Sequence, residues 1–576
     1  MRYSKFIKII VLVISICMVI TLFSACKKKP GETTSSGEQI VYSGEDPTII
    51  PASAKGDVEF SFDLSSLGKE IKNVVMDINT FDFRGEWDTD KYSKLDKDYF
   101  KNRYPFVRNI GFMQATGGNS ARDLFNNKTS GDITERVDAT PLITACKNAL
   151  NQGLKPYVKT GNVPESMSKN AKSGTFGVNI CPPDDYDEYY KYINTIAKQL
   201  VNAFGKEELL AWRWGVYTEY ENIDWFGFAT DPEASKIAFL KLYDYSVAAL
   251  QDAIGEEIFI GAHSMTCSDG LWKEEDFVEH CAKGTNYKTG KVGTRLNFLT
   301  VSFYDWKPGT YGKRTLMECI DTLRNKADEV GLKNLMYGVD EGRLFSGTDG
   351  KELTTRVVAH TYQAGYDARI YKQMVDGDVD YFTAWSYSTS GLIDGVDTVS
   401  LHTANLFYKM VGSNQVTAVK LKDEAGDEIE VDALAGYNAK TNKFYIMAYN
   451  FKNTFDYKDS KNIKFTIKGA GKFGDTATVT RYVVDDNSNF YDEWMKDRKA
   501  ENITSAAFGW SEDSAVLDST VTITNGDAYL TFKMNETRYK EAAKMIPAQG
   551  KASLSSGDLT LYYELSHHGV VFYEIG

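Results

Sequence analysis

Two glutamates follow short apolar segments that have the composition of buried β-strands. Glu219 comes after Trp-Gly-Val-Tyr-Thr at 214–218, and Glu341 comes after Tyr-Gly-Val-Asp at 337–340. Two carboxyl groups held about 5–5.5 Å apart can cleave a glycosidic bond with retention, because one attacks the anomeric carbon while the other protonates the leaving oxygen. Burial and mutual repulsion raise the pKa of the acid in such a pair and keep it protonated before the attack. The two glutamates therefore predict a catalytic pair, provided that the fold brings them together.

Neighbouring charged residues leave alternatives at both positions. Glu221 replaces Glu219 as the acid if the strand ends two residues later, and it is otherwise a solvated surface charge. Asp340 competes with Glu341 as the second carboxylate, and Glu341 has a structural alternative as an ion-pair partner of Arg343 or Arg108. We favour Glu219 because it follows its apolar segment at the expected offset, and we favour Glu341 over its neighbour.

Other polar and aromatic side chains also lie at predicted strand ends. Arg108 is placed to hold the nucleophile ionised, with a structural salt bridge as its alternative. Trp385 is placed to stack under a sugar ring, with a packing role at the barrel mouth as its alternative. Asn79, Asn162 and His263 are placed to contact substrate hydroxyls, with plain loop roles as their alternative.

The segments that carry these residues alternate with longer amphipathic segments from about residue 71. Repeated strand–helix units of this length indicate a parallel sheet, and eight of them indicate a closed (β/α)8 TIM barrel. The carboxyl ends of the strands in such a barrel all face one pocket, which is where reactive groups lie. We predict the strands at 73–78, 106–112, 155–159, 211–217, 258–261, 298–303, 335–339 and 381–385.

The pattern changes near residue 415. Short alternating segments between Gly, Asn and Asp turns, without helices, are typical of a β-sandwich. The clearest segments lie at 416–421, 444–449, 463–467, 477–483, 519–523, 528–532 and 559–565. We therefore predict a catalytic α/β barrel at 56–414, in which 56–70 is a candidate strand of the sandwich, and a β-sandwich domain at 415–576.

Four segments resemble glycoside hydrolase family 39, the β-xylosidase and α-L-iduronidase family of retaining glycosidases with a (β/α)8 barrel. The resemblance extends along most of the chain, and its last segment lies outside the barrel, where shared catalytic need does not explain it. The segments are 154–165, 212–219, 380–388 and 480–494. The resemblance implies a retaining glycoside hydrolase in which Glu219 is the general acid/base and Glu341 is the nucleophile.

Two departures from the family pattern lie around the cleaved sugar. Thr218 stands where the family has an asparagine whose amide reaches the sugar 2-hydroxyl. Ser302-Phe303-Tyr304 stands where the family often has His-x-Tyr, so Tyr304 can still touch the nucleophile or the sugar while a histidine contact is lost. Both changes bear on the identity of the substrate more than on the reaction type. The alternative function is a non-catalytic glycan-binding surface lipoprotein on a glycosidase scaffold.

The first residues have the order of a secretory signal. Positive residues precede an apolar segment at 9–23, and small residues lead to Cys26, which resembles a bacterial lipidation site. The alternative is an uncleaved anchor helix. We predict a signal peptide at 1–25, then the lipidated cysteine and a flexible linker at 26–55. The predicted location is the extracellular face of a bacterial membrane, either anchored or secreted.

Composition narrows the set of partners. The net charge of −13 disfavours nucleic acid and anionic surfaces. Five cysteines follow residue 26 at irregular spacing, which predicts neither a disulfide framework nor a metal site. Hydrolysis of a glycoside needs no cofactor, and the sequence suggests none. The predicted partners are a carbohydrate substrate and, through the lipid anchor, the membrane.

Overall fold

Eight of the predicted strands form one sheet of parallel neighbours in a computed structural model of the chain. They follow sequence order, and Phe382 N–H donates to Val74 O (2.8 Å), which joins the last strand to the segment before the first. The strands lie at Asp77–Thr80, Asn109–Phe112, Lys155–Thr160, Arg213–Val216, Phe259–Ser264, Phe298–Asp305, Met336–Leu344 and Tyr381–Ala384. The predicted barrel is confirmed, and its strands are numbered one to eight in this order.

The structure describes residues 56–305, 310–311, 314–344, 346–348, 351–353, 360–384, 396–454, 457–501 and 526–576. The predicted export signal, Cys26 and Trp385 lie outside these residues. Within them, no helix combines the length and the apolar character needed to cross a lipid bilayer.

Helices follow most barrel strands, and the longer ones carry clear start and stop signals. The Asp185 carboxylate accepts the amide N–H groups of Asp187 (2.8 Å) and Glu188 (3.2 Å), and Gly205 ends the same helix at φ +83°. Such a cap contributes about 1 kcal/mol. The helices lie at Tyr99–Arg103, Ile133–Arg136, Thr140–Asn151, Tyr186–Phe204, Lys206–Leu210, Pro232–Ile254, Glu274–Lys283, Leu316–Val330, Tyr362–Gly377, Val399–Met410, Tyr491–Ala500 and Gly526–Ala542. Short 3₁₀ turns lie at Glu165–Met167, Ala470–Phe473 and Asp486–Ser488.

Two further sheets pack face to face and enclose a second apolar core. The smaller sheet contains, in spatial order, Val419–Asp423, Val58–Asp63, Lys461–Lys468 and Leu559–Leu565. The larger sheet contains Leu67–Glu70, Asn414–Val416, Glu430–Asn438, Lys443–Phe451, Val570–Ile575, Thr476–Val484 and Ala548–Ser553. Two antiparallel pairs of short strands lie outside these sheets. Thr310–Tyr311 pairs with Arg314–Thr315, and Ser346–Thr348 pairs with Lys351–Leu353. The predicted β-sandwich is confirmed, and the strands at 58–63 and 67–70 belong to its sheets.

The strand predicted at 528–532 is wrong, because this segment begins the helix Gly526–Ala542. The alternation of apolar residues there resembles a strand, but Phe532 and Tyr539 lie seven residues apart and face the same aromatic cluster. Glu536 also pairs with lysines three residues before it and four residues after it, which stabilises a helix. The helix packs on Tyr491–Ala500, and the strand predicted at 519–523 lies outside the described residues.

The barrel packs on the larger sheet of the sandwich through its last two helices. Tyr362–Gly377 and Val399–Met410 both contact the strand Lys443–Phe451. Arg369, which is 7% exposed, donates to Glu430 Oε2 (2.7 Å) across this junction. The accessory sheets therefore support the barrel wall that carries strands seven and eight.

Candidate active site

Glu219 follows the fourth strand at a sharp turn of the backbone. Tyr217 and Glu219 have left-handed backbone, with φ of +68° and +46°, which costs roughly 1–2 kcal/mol for each L-residue. The Tyr217 hydroxyl offsets part of this cost, because it accepts from Asn162 Nδ2 (2.7 Å) and donates to Trp225 O (3.1 Å). The turn buries the Glu219 side chain, and the residue is only 7% exposed.

A β-bulge in the seventh strand brings two consecutive carboxylates to the same side. Val339 pairs with Val301 and Glu341 pairs with Ser302, so Asp340 is an extra residue in the register. Consecutive side chains of a regular strand point to opposite faces, and a bulge removes that restriction. As a result, Asp340 and Glu341 both contact side chains from the barrel interior.

The two predicted catalytic glutamates lie together in the barrel. One carboxylate oxygen of Glu219, one of Glu341 and one ring nitrogen of His263 lie within 4.8 Å of one another. Ser302 Oγ lies 2.6 Å from Glu219 Oε1 and 3.1 Å from Glu341 Oε1, so one hydroxyl bridges the pair. Two carboxyl groups that share one hydroxyl are as near to each other as double displacement requires, for which retaining glycosidases hold them roughly 5–5.5 Å apart.

Burial and the charge of Glu219 raise the pKa of Glu341 well above its ordinary value. Lys159 and Ser302 act in the opposite direction, because both stabilise the ionised form of Glu341. The net effect is that Glu341 holds its proton to higher pH than an exposed glutamate does.

A hydrogen-bonded chain runs from Lys159 to the glutamate pair. Lys159 Nζ lies 2.9 Å from His263 Nδ1, and His263 Nε2 lies 2.8 Å from Ser302 Oγ. Burial and the Lys159 charge lower the pKa of His263 well below its ordinary value, so its imidazole is neutral. Because Lys159 donates to Nδ1, the imidazole proton lies on Nε2 and is donated to Ser302. The Ser302 hydroxyl is then free to donate its own hydrogen to a glutamate.

Asp340, the competing carboxylate, is an ion of the barrel interior. Burial opposes its ionisation, but the charge of Lys159 and the hydrogen bonds from Tyr381 and Lys159 outweigh burial and hold the pKa of Asp340 below its ordinary value. Lys159 Nζ (2.9 Å) and the hydroxyl of Tyr381 (2.5 Å) donate to it, as do Tyr157 and Thr300. With hydrogen-bond donors on both of its oxygens, Asp340 serves as the counter-ion of Lys159.

Glu221 is neither a surface charge nor part of the glutamate pair. It is 0% exposed, and its Oε1 accepts from Ser264 Oγ (2.7 Å) and from the amides of Met265 (2.8 Å) and Thr266 (3.1 Å). Burial and the nearby Glu274 raise the pKa of Glu221 to about 8. These contacts hold it against the loop after the fifth strand, so the expectation of a solvated charge is wrong.

Three predicted polar contacts are buried near the strand ends. Asn79 Nδ2 donates to Asp340 O (2.7 Å), and Asn162 Nδ2 donates to three acceptors in the loops after strands three and four. The Oδ1 atoms of both asparagines and the Thr218 hydroxyl, all buried, have no hydrogen-bond partner within the described part of the chain. These oxygens are unpaired and buried near the strand ends, whereas both amide nitrogens already hold the scaffold.

Arg108 does not reach the nucleophile, and this prediction is wrong. It precedes the second strand at the amino end of the barrel, and its guanidinium donates to Pro105 O (2.6 Å), Val107 O (2.8 Å) and Tyr408 Oη (2.6 Å). The prediction took Arg108 as the end of the second strand, but the strand runs Asn109–Phe112, so Arg108 lies just before its start.

Tyr304 lies two residues beyond Ser302 in the sixth strand. Residues two apart share one face of a strand, so Tyr304 lies on the same face as the bridging hydroxyl and nearer the barrel mouth. It is half-buried and pairs in register with Arg343 of the seventh strand.

Several contributors to the pocket were not predicted from the sequence. Lys159, buried at 0% exposure, supplies its positive charge, and Asn222 Nδ2 donates to Glu219 Oε2 (2.7 Å). Lys159 lies at the end of an apolar strand. The criterion that indicated Glu219, a polar residue at the end of an apolar segment, therefore indicates Lys159 as well. The bond from Asn222 depends on the left-handed turn and has no sequence signal of its own.

The spacing of Glu219, His263 and Glu341 also matches three ligands of a metal ion. Both ring nitrogens of His263 are already engaged, however, by Lys159 and Ser302. A cation at this point would also lie beside the Lys159 ammonium, which repels it. The donor set therefore fits a proton network better than a metal.

The chain forms an eight-stranded parallel barrel, and one hydroxyl bridges two carboxylates at the carboxyl ends of its strands. This arrangement is typical of barrel glycosidases. The family model for glycosyl hydrolases family 39 matches residues 123–504. The chain belongs to this family, and the resemblance predicted from the sequence is confirmed.

Two characterised relatives match parts of the chain. A beta-xylosidase of Caldicellulosiruptor saccharolyticus is 27% identical over 156 residues, which are 27% of this chain and 28% of that protein. An alpha-1,4-L-rhamnosidase of Formosa agariphila is 22% identical over 292 residues, which are 50% of this chain and 54% of that protein. The chain thus spans about a quarter to a half of the length of these relatives.

Solved structures share the whole fold. A monomeric beta-xylosidase from Caulobacter crescentus CB15 superposes with a TM-score of 0.62 at 14% identity, over 90% of this chain and 99% of that one. The GH39 enzyme from Xanthomonas axonopodis pv. citri gives a TM-score of 0.62 at 13% identity, over 91% and 99% of the two chains. At these identities the likeness shows the fold alone.

Proposed function

We propose that this protein is a retaining glycoside hydrolase that cleaves extracellular polysaccharides or oligosaccharides by double displacement. The observation that carries the proposal is the Glu219–Glu341 pair, whose carboxylate oxygens lie within 4.8 Å and share the Ser302 hydroxyl. Family membership supports the reaction class. In this proposal Glu341 is the nucleophile and Glu219 is the general acid/base.

In the first step a Glu341 oxygen attacks the anomeric carbon and forms an ester bond as the glycosidic carbon–oxygen bond breaks. Glu219 gives its proton to the leaving oxygen at the same time, which releases the leaving portion as an alcohol. In the second step Glu219, now a carboxylate, takes a proton from water. The water oxygen attacks the anomeric carbon, the ester breaks, and Glu341 is restored.

The mechanism requires the proton to lie on Glu219 when Glu341 attacks. Burial and the charge of Glu219 raise the pKa of Glu341 and oppose this distribution, whereas Lys159 and Ser302 favour it because both stabilise an ionised Glu341. Once the ester has formed, negative charge resides on Glu219, and Ser302 Oγ is 2.6 Å from its Oε1. The hydroxyl is therefore placed to follow the charge from one carboxylate to the other.

The substrate class rests on the relatives and on the predicted export signal. The matched relatives are named for xylosides and L-rhamnosides, so we propose these two sugar classes as first candidates. The predicted lipid anchor at Cys26 supports an enzyme held at the outer face of a bacterial membrane. The protein would then meet saccharides outside the cell.

The decisive test compares Glu341→Gln with Glu219→Gln on aryl xylosides and rhamnosides. Glu341→Gln is expected to abolish turnover, because no carboxylate remains to form the ester. Glu219→Gln is expected to retain cleavage of substrates with activated leaving groups and to gain rate with added azide, because azide replaces the base-activated water. Initial rates with and without azide are the measurement.

Glu233→Gln, at a side chain that is 67% exposed, is the matched control and should behave as wild type. Full activity in Glu341→Gln would overturn the nucleophile. A wild-type protein that binds oligosaccharides but cleaves no glycoside of the panel would favour the glycan-binding lipoprotein instead.

A further inference from the structure

Phe176 presents an aromatic ring to solvent on the loop between the third strand and the helix Tyr186–Phe204. The residue is 45% exposed, which is unusual for phenylalanine. Its ring stacks on Trp225 at a centroid distance of 4.4 Å and an interplanar angle of 15°. Trp225 is 2% exposed and also contacts Phe81 at 6.1 Å, so Phe176 is the outer layer of a short aromatic stack.

The loop that carries this ring is held in place on both sides of Phe176. Thr175 Oγ1 donates to Asp224 Oδ1 (2.7 Å), and Asn119 Nδ2 donates to Gly177 O (2.8 Å). Gly174 also lies so close to Asp224 that a Cβ there would be 2.6 Å from its carbonyl oxygen. The ring is therefore preorganised, and a ligand that stacks on it pays little for ordering the loop.

The stack lies on one particular side of the acid/base glutamate. Glu219 Oε1 faces Ser302, which also bridges to Glu341, whereas Glu219 Oε2 accepts from Asn222 Nδ2 (2.7 Å). Asn222 O in turn accepts from the amide of Trp225 (2.9 Å). The aromatic stack is thus joined through Asn222 to the Glu219 oxygen other than the one that bonds to Ser302.

That position corresponds to the leaving portion of the substrate. The sugar that becomes bound to Glu341 lies between the two carboxylates, and the departing sugar leaves from the side of the group that protonates it. A flat aromatic face packs against the apolar C–H face of a sugar ring, while the hydroxyls remain at the polar edge. We propose that Phe176 forms a subsite for a sugar residue of the leaving portion, an inference that rests on the proposed hydrolase function.

The test compares wild type and Phe176→Ala on two substrates of the sugar that wild type cleaves. The glycosyl fluoride has no sugar in its leaving portion, whereas the trisaccharide has one or more. We expect kcat/KM to fall about 3- to 10-fold for the trisaccharide and to stay unchanged for the fluoride. Phe176→Tyr is expected to retain the wild-type values, because it keeps the aromatic face.

Tyr287→Ala is the matched control, since Tyr287 is 42% exposed but lies between the helix Glu274–Lys283 and the start of the sixth strand, at the opposite end of the barrel. It should leave both substrates unaffected. Equal losses on fluoride and trisaccharide in Phe176→Ala, or no loss on either, would overturn the subsite.

Calorimetric titration of the same proteins with the oligosaccharide separates this inference from the proposed function. A Kd raised about 3-fold or more by Phe176→Ala supports the subsite, and an unchanged Kd overturns it, even if wild type hydrolyses nothing. Absence of hydrolysis in wild type, by contrast, counts against the catalytic proposal.

Discussion

Ser302 carries one hydroxyl hydrogen between two carboxylates that hold negative charge in turn. His263 occupies one lone pair of its oxygen from the other side and is itself fixed by Lys159. The residue that the sequence marked as a departure from the family pattern is therefore the link between the glutamates and a buried imidazole. A histidine from the fifth strand reaches the pocket through it.

We predict that Ser302→Ala moves the acid limb of the kcat/KM profile to higher pH. Ser302 lowers the pKa of Glu341 by donating to its ionised form, so removal of the hydroxyl raises that pKa further. The nucleophile then ionises only at higher pH. Measurement of kcat/KM between pH 4 and 8 tests this expectation, and Ser302→Thr, which keeps the hydroxyl, is the control. An acid limb that does not move in Ser302→Ala contradicts the assignment.

At the scale of elements, the loops after strands three and four are joined by one side chain. Asn162 Nδ2 donates to Asn179 O (2.9 Å), Tyr217 Oη (2.7 Å) and Trp225 O (2.9 Å). Asn179 O and the Tyr217 hydroxyl are buried, so they lose this donor without gaining water if the amide is removed, while Trp225 O keeps the Tyr217 hydroxyl. The left-handed turn that presents Glu219 depends on this cluster.

Asn162→Ala is expected to lower the free energy of unfolding by about 1–3 kcal/mol. It is also expected to lower kcat, because the turn at Glu219 loses its support. Denaturant unfolding and steady-state kinetics measure the two effects. Asn126→Ala, which removes an exposed bond to Glu135 O (2.8 Å), is the control and should change both values little. A variant with wild-type stability and kcat would show that the loops do not depend on Asn162.

The sequence predicted the eight strands because each is a local apolar segment between helical ones. It also indicated Glu219 and Glu341, since both follow such segments directly. The bulge at Asp340 depends on pairing with the neighbouring strand, and no local pattern encodes it. Arg108 was misplaced because it was taken as the end of the second strand, whereas it directly precedes that strand. The helix Gly526–Ala542 was missed because the alternating residues 528–532 resemble a strand. The contacts at helical spacing, which involve Glu536 and Tyr539, lie after that segment.

At the scale of the whole molecule, buried titratable groups act on stability in opposite directions. Burial lowers the pKa of His360 to about 3 and that of His568 well below its ordinary value. Both contribute to the junction between barrel and sandwich, where the His568 ring lies 4.8 Å from the Tyr362 ring. Their unfolded forms take up a proton first, so their contribution is lost as pH falls from about 6.5 toward 3.

Glu221 acts with the opposite sign. Its pKa is about 8 in the folded protein and 4.5 in the unfolded chain, so between these two pH values only the folded form binds the proton. Stability therefore rises as pH falls from 8 toward 4.5, by about 1.4 kcal/mol per pH unit in the middle of the window. The gain from Glu221 and the loss from the histidines overlap below pH 6.5, where they offset each other.

Glu221→Gln and His360→Gln are expected to change the slope of stability with pH in opposite ways. Glu221→Gln removes the proton uptake, so the gain between pH 8 and 6.5 should disappear. His360→Gln removes a group that the unfolded chain protonates, so the loss below pH 6.5 should become shallower. Denaturant unfolding at half-unit steps from pH 4 to 8.5 gives both slopes, with wild type as reference. A Glu221→Gln profile parallel to wild type between pH 8 and 6.5 would mean that Glu221 is ionised in the folded protein, and the same outcome for His360→Gln below pH 6.5 would mean that its ring is reached by water.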